Sequence, residues 1–186
     1  TRGKRMDESL ALVRRLLAGE IVDHRGEHFA LERAAIRPTP EPAVPIVVGV
    51  RAPAALRRAG RLGDGWLGVW VSPERFAEST AAVAEAASEA GRRDVAWQHG
   101  LLAWCGFGPS PASARPRLAA AMEELYQLPF ERFARHSPHG TPDDVAAALA
   151  PYVDAGASTI LLAAVADGPE EVVAGAARVR TLLRGA

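Results

Sequence analysis

The chain has 186 residues, enough for one domain with a sizeable hydrophobic core. Its 22 Lys and Arg residues balance 22 Asp and Glu residues, so the overall charge favours neither nucleic acid nor an anionic membrane as a partner. Lys4 is the only lysine and lies in an exposed, charged turn, which argues against Schiff-base chemistry. Cys105 is the only cysteine, so an internal disulfide and a cysteine-based zinc site are excluded.

The sequence shows no sign of export or membrane insertion. The first residues, TRGKRMDESL, are not followed by an apolar segment, so no signal peptide is predicted. No apolar run is close to the ~20 residues that cross a bilayer. We expect a cytoplasmic protein, because a single cysteine is compatible with a reducing compartment. The chain begins at Thr1 rather than at methionine, which is typical of a processed chain or of part of a longer one.

Hydrophobic periodicity predicts helices and strands in alternation. An N-terminal helix over 6–17 is followed by a hairpin that pairs 21–24 with 27–31 and turns at Arg25 and Gly26. A proline-rich connector precedes four short apolar strands, each followed by a helical segment. The strands are predicted at 45–50, 65–71, within 95–107, and at 158–165. The helices are predicted at 53–62, 73–90, 111–125, 142–155 and 169–183, with Ser72 and Thr141 as caps of the second and fourth. This alternation indicates parallel βαβ units in a single domain, 1–186.

The turn after the first of these strands is the strongest candidate site. Gly49 ends the strand, and a glycine can take backbone angles closed to other residues. The amides of Val50, Arg51 and Ala52 can then point toward one spot, at the positive N-terminal end of the helix that begins with Pro53. Arg51 can add a charged hydrogen bond. The pattern predicts a phosphate site, although an ordinary βα turn accounts for the same residues; the Walker lysine and G-x-G-x-x-G are both absent.

Other polar and aromatic residues give weaker indications. Trp70 and Trp104 lie at the ends of predicted strands, where they would line an apolar pocket, stack on a planar ring or pack in the core. His136 and His139 are separated by Pro138 in a predicted loop, which does not favour a metal site. We expect Cys105 to be a small buried side chain without chemistry.

One glycine-containing segment and two histidines are interpreted as structural rather than functional. The segment Leu62-Gly63-Asp64-Gly65-Trp66 suits a tight loop between a helix and the next strand. His24 and His28 flank the predicted hairpin turn and are expected to be exposed. No catalytic acid or base can be assigned, because no serine–histidine–aspartate set or pair of carboxylates stands out.

Four segments, in this order, resemble the bacterial luciferase-like monooxygenases. They are RGKRMDESLALVRRLLAGE, GEHFAL, RPTPEPAVPIVVGVRAPAALRRAGRLGDGWL and GTPDDVAAALAPYVDAGAS. The family consists of flavin- or deazaflavin-dependent enzymes on a (β/α)8 TIM barrel. The resemblance therefore implies an α/β fold. A whole barrel typically takes ~250 residues, so this chain would hold about the C-terminal half, with about four βα units and a hairpin.

The resemblance also implies a cofactor and a reaction. In the family, the turn matching Gly49, Val50, Arg51 and Ala52 helps to hold the cofactor phosphate through backbone amides. Val50 replaces a usual second glycine and Ala52 stands where serine is common. The cofactor would be FMN or, alternatively, the deazaflavin coenzyme. The reaction would be monooxygenation of a small organic substrate with molecular oxygen, or hydride transfer, with Trp70 and Trp104 lining the substrate pocket.

A half-barrel would leave two strand edges, at 45–50 and 158–165, and an apolar inner face. We therefore expect a homo-oligomer or association with the missing half of the barrel. The alternative from a different functional class is a non-catalytic half-barrel that binds a phosphorylated ligand or a partner chain.

Overall fold

The computed structural model describes residues 2–49 and 51–185, which form alternating helices and strands. The helices are α1 (Arg2–Leu17), α2 (Pro53–Leu62), α3 (Pro73–Glu89), α4 (Pro111–Tyr126), α5 (Pro142–Asp154) and α6 (Pro169–Arg184). The strands are β1 (Val22–Arg25), β2 (Ala30–Ala34), β3 (Val47–Gly49), β4 (Gly65–Val69), β5 (Gly100–Phe107), β6 (His139–Gly140) and β7 (Thr159–Val165). Two short 3₁₀ helices, Phe130–Arg132 and Ala134–His136, lie between α4 and β6. No helix in the described ranges is long and apolar enough to span a bilayer.

All the predicted helices and the four predicted strands are confirmed, and α2 has the predicted bounds. The predicted hairpin turn was wrong in position. Arg25 pairs with Ala30, so the loop runs over 26–29 and is closed by a 2.9 Å hydrogen bond from the Gly26 amide to the Phe29 carbonyl. The Glu8 carboxylate of α1 accepts the amide hydrogens of His28 and Phe29, which fixes this wider loop.

The structure contains two compact units, each described separately. The first comprises the chain up to residue 67 together with 79–98. In it β3 runs parallel to β4, with Val48 opposite Trp66 and Gly49 opposite Leu67. Val48 and Trp66 are buried with Leu56 of α2 in the hydrophobic core. The single-domain expectation for 1–186 remains a prediction.

The Asp64 carboxylate joins several elements of the first unit. It accepts hydrogen bonds from Arg14 of α1 at 2.9 and 3.0 Å and from Arg92, which follows α3, at 3.2 Å. It also accepts the Ile46 amide hydrogen at 2.9 Å, while the Asp64 amide donates to the Ile46 carbonyl at 2.7 Å. The Asp64 carbonyl accepts the Gln98 amide hydrogen. The loop predicted from LGDGW is therefore the point at which α1, the residue before β3 and the segment after α3 are connected.

The second unit comprises 68–78 and the residues from 99 onward. Here β5 and β7 run parallel over their length, from Gly100 opposite Thr159 to Gly106 opposite Val165, and the short β6 pairs with the end of β5. The sequence did not predict β6, because two residues are too few to show a strand pattern. A core cluster of Leu118, Met122, Phe130 and Phe133 is fully or almost fully buried.

Helix capping explains why the helix starts were predictable. The Ser72 hydroxyl accepts the Arg75 amide hydrogen at the start of α3. Thr141 and Asp144 form a reciprocal capping box at the start of α5, with Pro142 at the first helical position. The hydrogen bond from the Thr141 side chain holds the pKa of Asp144 below its usual value.

We expect the Asp64→Asn substitution to lower the free energy of unfolding by about 1–3 kcal/mol, because it weakens charged hydrogen bonds to two arginines at a position that is mostly shielded from water. Urea denaturation followed by circular dichroism measures the change. Asp94→Asn is the matched control, since Asp94 is exposed; it should change the unfolding free energy by no more than about 0.5 kcal/mol. Equal stability of the two variants would contradict the role assigned to Asp64.

Candidate functional site

The Gly49 turn connects β3 to α2 in the first unit. Ala52 is the residue before α2, with extended backbone angles of φ −76° and ψ 144°, and Pro53 occupies the first helical position. The Ala52 carbonyl accepts the amide hydrogens of Ala55 and Leu56 at 2.9 and 3.0 Å, so the first turn of the helix is well formed. Val50, the remaining residue predicted to bind cofactor, lies outside the described residues.

Donor groups at this turn are available to a ligand. Over the described ranges, no residue accepts a hydrogen bond from the amides of Arg51 or Ala52, and Ala52 provides no side-chain cap. The Arg51 side chain is exposed. Unpaired amides at a helix N-terminus, with a guanidinium beside them, are suited to an oxyanion such as phosphate.

The reason predicted for Gly49 was wrong. Its φ does not lie in the left-handed region that favours glycine. A Cβ atom added to Gly49 would meet no atom within 4 Å, so packing does not require a glycine either. A glycine also allows a ligand to approach the backbone closely. No atom of the described residues near Gly49 would block such an approach.

Trp70 and Trp104 belong to one aromatic cluster in the second unit. The Trp70 ring lies 5.0 Å from that of Tyr126 and 4.6 Å from that of Phe133, and the Trp104 ring lies 5.9 Å from that of Tyr126. Trp104 Nε1 donates a 2.9 Å hydrogen bond to the Tyr126 hydroxyl. Both tryptophans also pack against the core cluster. The predicted pair is thus brought together, through a tyrosine that the sequence did not single out.

Trp70 differs from Trp104 in two respects. It follows β4 with φ 50°, an uncommon angle for a bulky residue. Its Nε1 is buried and has no hydrogen-bond partner among the described residues. Trp70 also lines a cavity of about 270 Å³, whereas Trp104 is not one of the lining residues. The Trp70 side chain thus borders the cavity, while its N–H lies in the interior without an acceptor among the described residues.

Polar side chains border the cavity. The Tyr152 hydroxyl donates to the Val71 carbonyl at 2.5 Å, and burial raises the pKa of this phenol. Asp144 accepts the Thr141 amide and hydroxyl hydrogens at 2.9 and 2.8 Å. Arg135 also lines the cavity. The wall therefore offers a phenol, a carboxyl and a guanidinium beside apolar residues such as Leu101 and Leu149, an arrangement suited to polar recognition.

The remaining candidates are histidines and the cysteine; His136 and His139 line the same cavity as Trp70. No group of three or more histidine, cysteine or acidic residues that could hold a metal ion occurs within 2–49 and 51–185. His24 and His28 are half-buried rather than exposed: the His24 ring lies 2.8 Å from a Glu8 carboxylate oxygen. This contact is the largest reason why the pKa of Glu8 is lowered. Cys105 is fully buried, as predicted.

Comparison of the sequence with models of protein families assigns the chain to one of them. The model of the luciferase-like monooxygenases matches residues 1–159. The chain belongs to the luciferase-like monooxygenase family. The resemblance drawn from the four sequence segments is therefore confirmed.

Individual relatives extend the comparison. An F420-dependent glucose-6-phosphate dehydrogenase of Rhodococcus erythropolis is 30% identical over 183 residues, covering 82% of this chain and 52% of that protein. Among solved structures, an F420-dependent secondary alcohol dehydrogenase superposes with a TM-score of 0.80 at 18% identity, covering 97% of this chain and 61% of that one. The monooxygenase RslO1 of Streptomyces bottropensis gives a TM-score of 0.69 at 26% identity, with 96% and 58% covered.

These matches confirm the predicted fold class, an α/β partial barrel with parallel strands. In each of the three, this chain spans about half to three fifths of the other protein. The structure therefore describes part of the architecture that these relatives have.

We expect the Cys105 thiol to be unreactive in the folded protein. Burial raises its pKa to about 12, so the thiolate, the nucleophilic form, is about a thousandfold scarcer than for a free cysteine near pH 8. Labelling with a chromogenic disulfide reagent at pH 8 should be negligible in buffer and complete in denaturant. Equal labelling rates in the two conditions would contradict the burial of this side chain.

Proposed function

We propose that this chain is part of a luciferase-like oxidoreductase that holds the phosphate of a flavin or deazaflavin cofactor at the Gly49 turn. The observation that carries the proposal is the pair of amides at Arg51 and Ala52, which have no acceptor among the described residues and lie where α2 begins. Gly49 leaves open space beside them. Val50 completes the proposed set of binding residues.

The electrostatics of the turn favour an anion. The N-terminal end of a helix carries a partial positive charge, and no acidic residue lies in the first turn of α2 to neutralise it. Arg51 adds a full positive charge in the same short segment. Ala52 offers no hydroxyl, so the backbone and Arg51 would provide the hydrogen bonds to phosphate.

We propose FMN as the cofactor, with the deazaflavin F420 as the alternative. Several curated relatives are named for F420, which supports hydride transfer, whereas the family description and the resemblance of RslO1 support monooxygenation. When bound, the cofactor supplies the redox chemistry and the protein supplies binding, orientation and shielding from water. The substrate is proposed to be a small organic molecule.

Trp70 and Trp104 are proposed to contribute to the substrate pocket in different ways. Trp70 lines the cavity directly, so its side chain would contact the substrate. Trp104 would act as a positioning residue, because its hydrogen bond to Tyr126 fixes the ring that packs against Trp70. No residue is assigned as a catalytic acid or base.

The test is a fluorescence titration of the protein with FMN and with F420. Gly49→Ala should weaken binding, since the added methyl group occupies the space that a phosphate needs. The same change should leave the unfolding free energy unchanged or raise it by about 0.4–1 kcal/mol, because nothing in the structure opposes the new side chain. Loss of binding without loss of stability separates a ligand site from an ordinary turn.

Arg51→Ala should weaken cofactor binding by about 1–3 kcal/mol if the guanidinium forms a charged hydrogen bond to phosphate. Arg93→Ala is the control, because Arg93 is also exposed but follows α3. Unaltered affinity in Arg51→Ala would remove this residue from the site. Failure of the wild-type chain to bind either cofactor, even with the missing part of the barrel added, would overturn the enzyme proposal.

A further inference from the structure

The cavity beside Trp70 is small and partly apolar. All the residues that line it lie within 68–78 or from 99 onward, so it belongs entirely to the second unit. Its volume of about 270 Å³ is just below the ~300 Å³ at which pockets for drug-sized ligands begin. Leu101 and Leu149, both buried, form part of its wall. The cavity therefore suits a small ligand with a short apolar segment.

Two opposite charges border this cavity without pairing with each other. Arg135 lies in the second 3₁₀ helix, and Asp144 lies in the first turn of α5. The neighbouring Asp143 is paired with Arg178 at 3.0 Å. Within the part of the chain that the structure describes, by contrast, no ion pair includes Arg135 or Asp144. Both charges therefore remain available to a ligand.

The two charges act on different parts of the cavity wall. The positive charge of Arg135 acts on the Tyr152 phenol, where it opposes the rise in pKa that burial and the charge of Glu74 cause. Hydrogen bonds from Thr141 lower the pKa of Asp144, without a contribution from Arg135. Since a charge shifts the pKa of groups close to it, Arg135 acts nearer to Tyr152 than to Asp144. The cavity thus has a cationic side and an anionic side.

Each charged group keeps the capacity to bind a ligand. Both hydrogen bonds that Thr141 donates reach Oδ2 of Asp144, at 2.9 and 2.8 Å, so Oδ1 accepts none from the described residues. Glu74 also acts on Tyr152, but a hydrogen bond from the Ser72 side chain engages its carboxylate, and Glu74 does not border the cavity. A ligand with an ammonium group and a carboxylate would complement the two charged sides at once.

We propose that the substrate held in this cavity is a small amino acid, with its carboxylate on Arg135 and its ammonium group on Asp144. The inference rests on the proposed function, which places the substrate beside Trp70. A ligand with one charge is disfavoured, because it would shield the second wall charge from water without offering it a partner. Leu101 and Leu149 would contact the apolar part of the amino acid.

Isothermal titration calorimetry of the cofactor-free chain tests the proposal with four probes of similar size. L-Norvaline and its isomer 5-aminopentanoate carry both charges at two different separations, whereas pentanoate lacks the ammonium group and butylamine lacks the carboxylate. At least one of the two zwitterions should bind more tightly than either singly charged probe, by about tenfold or more. Equal or weaker binding of both zwitterions, or no binding of any probe, would overturn the proposal.

Two variants separate the contributions of the charges. Arg135→Gln should weaken the binding of the zwitterion and of pentanoate by about tenfold and leave that of butylamine unchanged. Asp144→Asn should weaken the binding of the zwitterion and of butylamine and leave that of pentanoate unchanged; its side-chain oxygen can still accept the Thr141 hydrogens. Arg132→Gln is the control, because Arg132 is exposed and does not border the cavity.

Circular dichroism should show equal helix content in the wild type and all three variants. Zwitterion binding that is as tight in Arg135→Gln and Asp144→Asn as in the wild type would contradict the proposal. The titrations with FMN and F420 are independent of this test. A chain that binds a cofactor but no zwitterion would overturn this inference alone, whereas one that binds a zwitterion but neither cofactor would retain this site and lose the oxidoreductase proposal.

Discussion

The Asp64 carboxylate is the contact on which the first unit depends. It connects Arg14 on α1 and Arg92 after α3 to the Ile46 amide, one residue before β3. Arg14 also donates to the Leu62 carbonyl at the end of α2. The strand and helix that flank the Gly49 turn are therefore both fixed at the ends remote from it. Flanking elements held in this way reduce the entropic cost of binding a ligand between them.

This constraint separates the roles of the two glycine-containing loops of the first unit. The LGDGW segment forms hydrogen bonds at the start of β3 and lies at the end of α2. At the other end of these two elements, no atom lies close to Gly49. The residues that stabilise β3 and α2 therefore lie at one end of the two elements, and the residues proposed to bind a ligand lie at the other end. A substitution at Asp64 should alter the whole unit, whereas one at Gly49 should alter only what the turn can accept.

Local features of the fold were predictable because they depend on neighbouring residues. Pro53 and Gly63 delimit α2, and Thr141 begins α5, through interactions within a few positions. Long-range contacts were not predictable. The sequence did not show that Glu8 would hold the hairpin loop, that Tyr126 would lie between Trp70 and Trp104, or that Asp64 would connect three segments. Each depends on residues brought together only by the tertiary structure.

The candidate site at the Gly49 turn remains a prediction, and the structure changes the reason for the glycine in it. The turn was identified from a glycine between a strand and a helix, and the residues around it do leave donors available. Gly49 does not take the left-handed angles that favour glycine, and a Cβ atom would fit there, so neither the backbone nor the packing requires a glycine. At the tryptophans, the sequence suggested a shared pocket, whereas the structure distinguishes a cavity-lining Trp70 from a hydrogen-bonded Trp104.

The proposed cofactor site is tested most directly by crystallography of the chain grown with FMN and, separately, with F420. The account predicts phosphate oxygens within about 3 Å of the Arg51 and Ala52 amides, with the Arg51 guanidinium turned toward them. A phosphate bound elsewhere on the chain, while the amides of the Gly49 turn remain without it, would contradict the account.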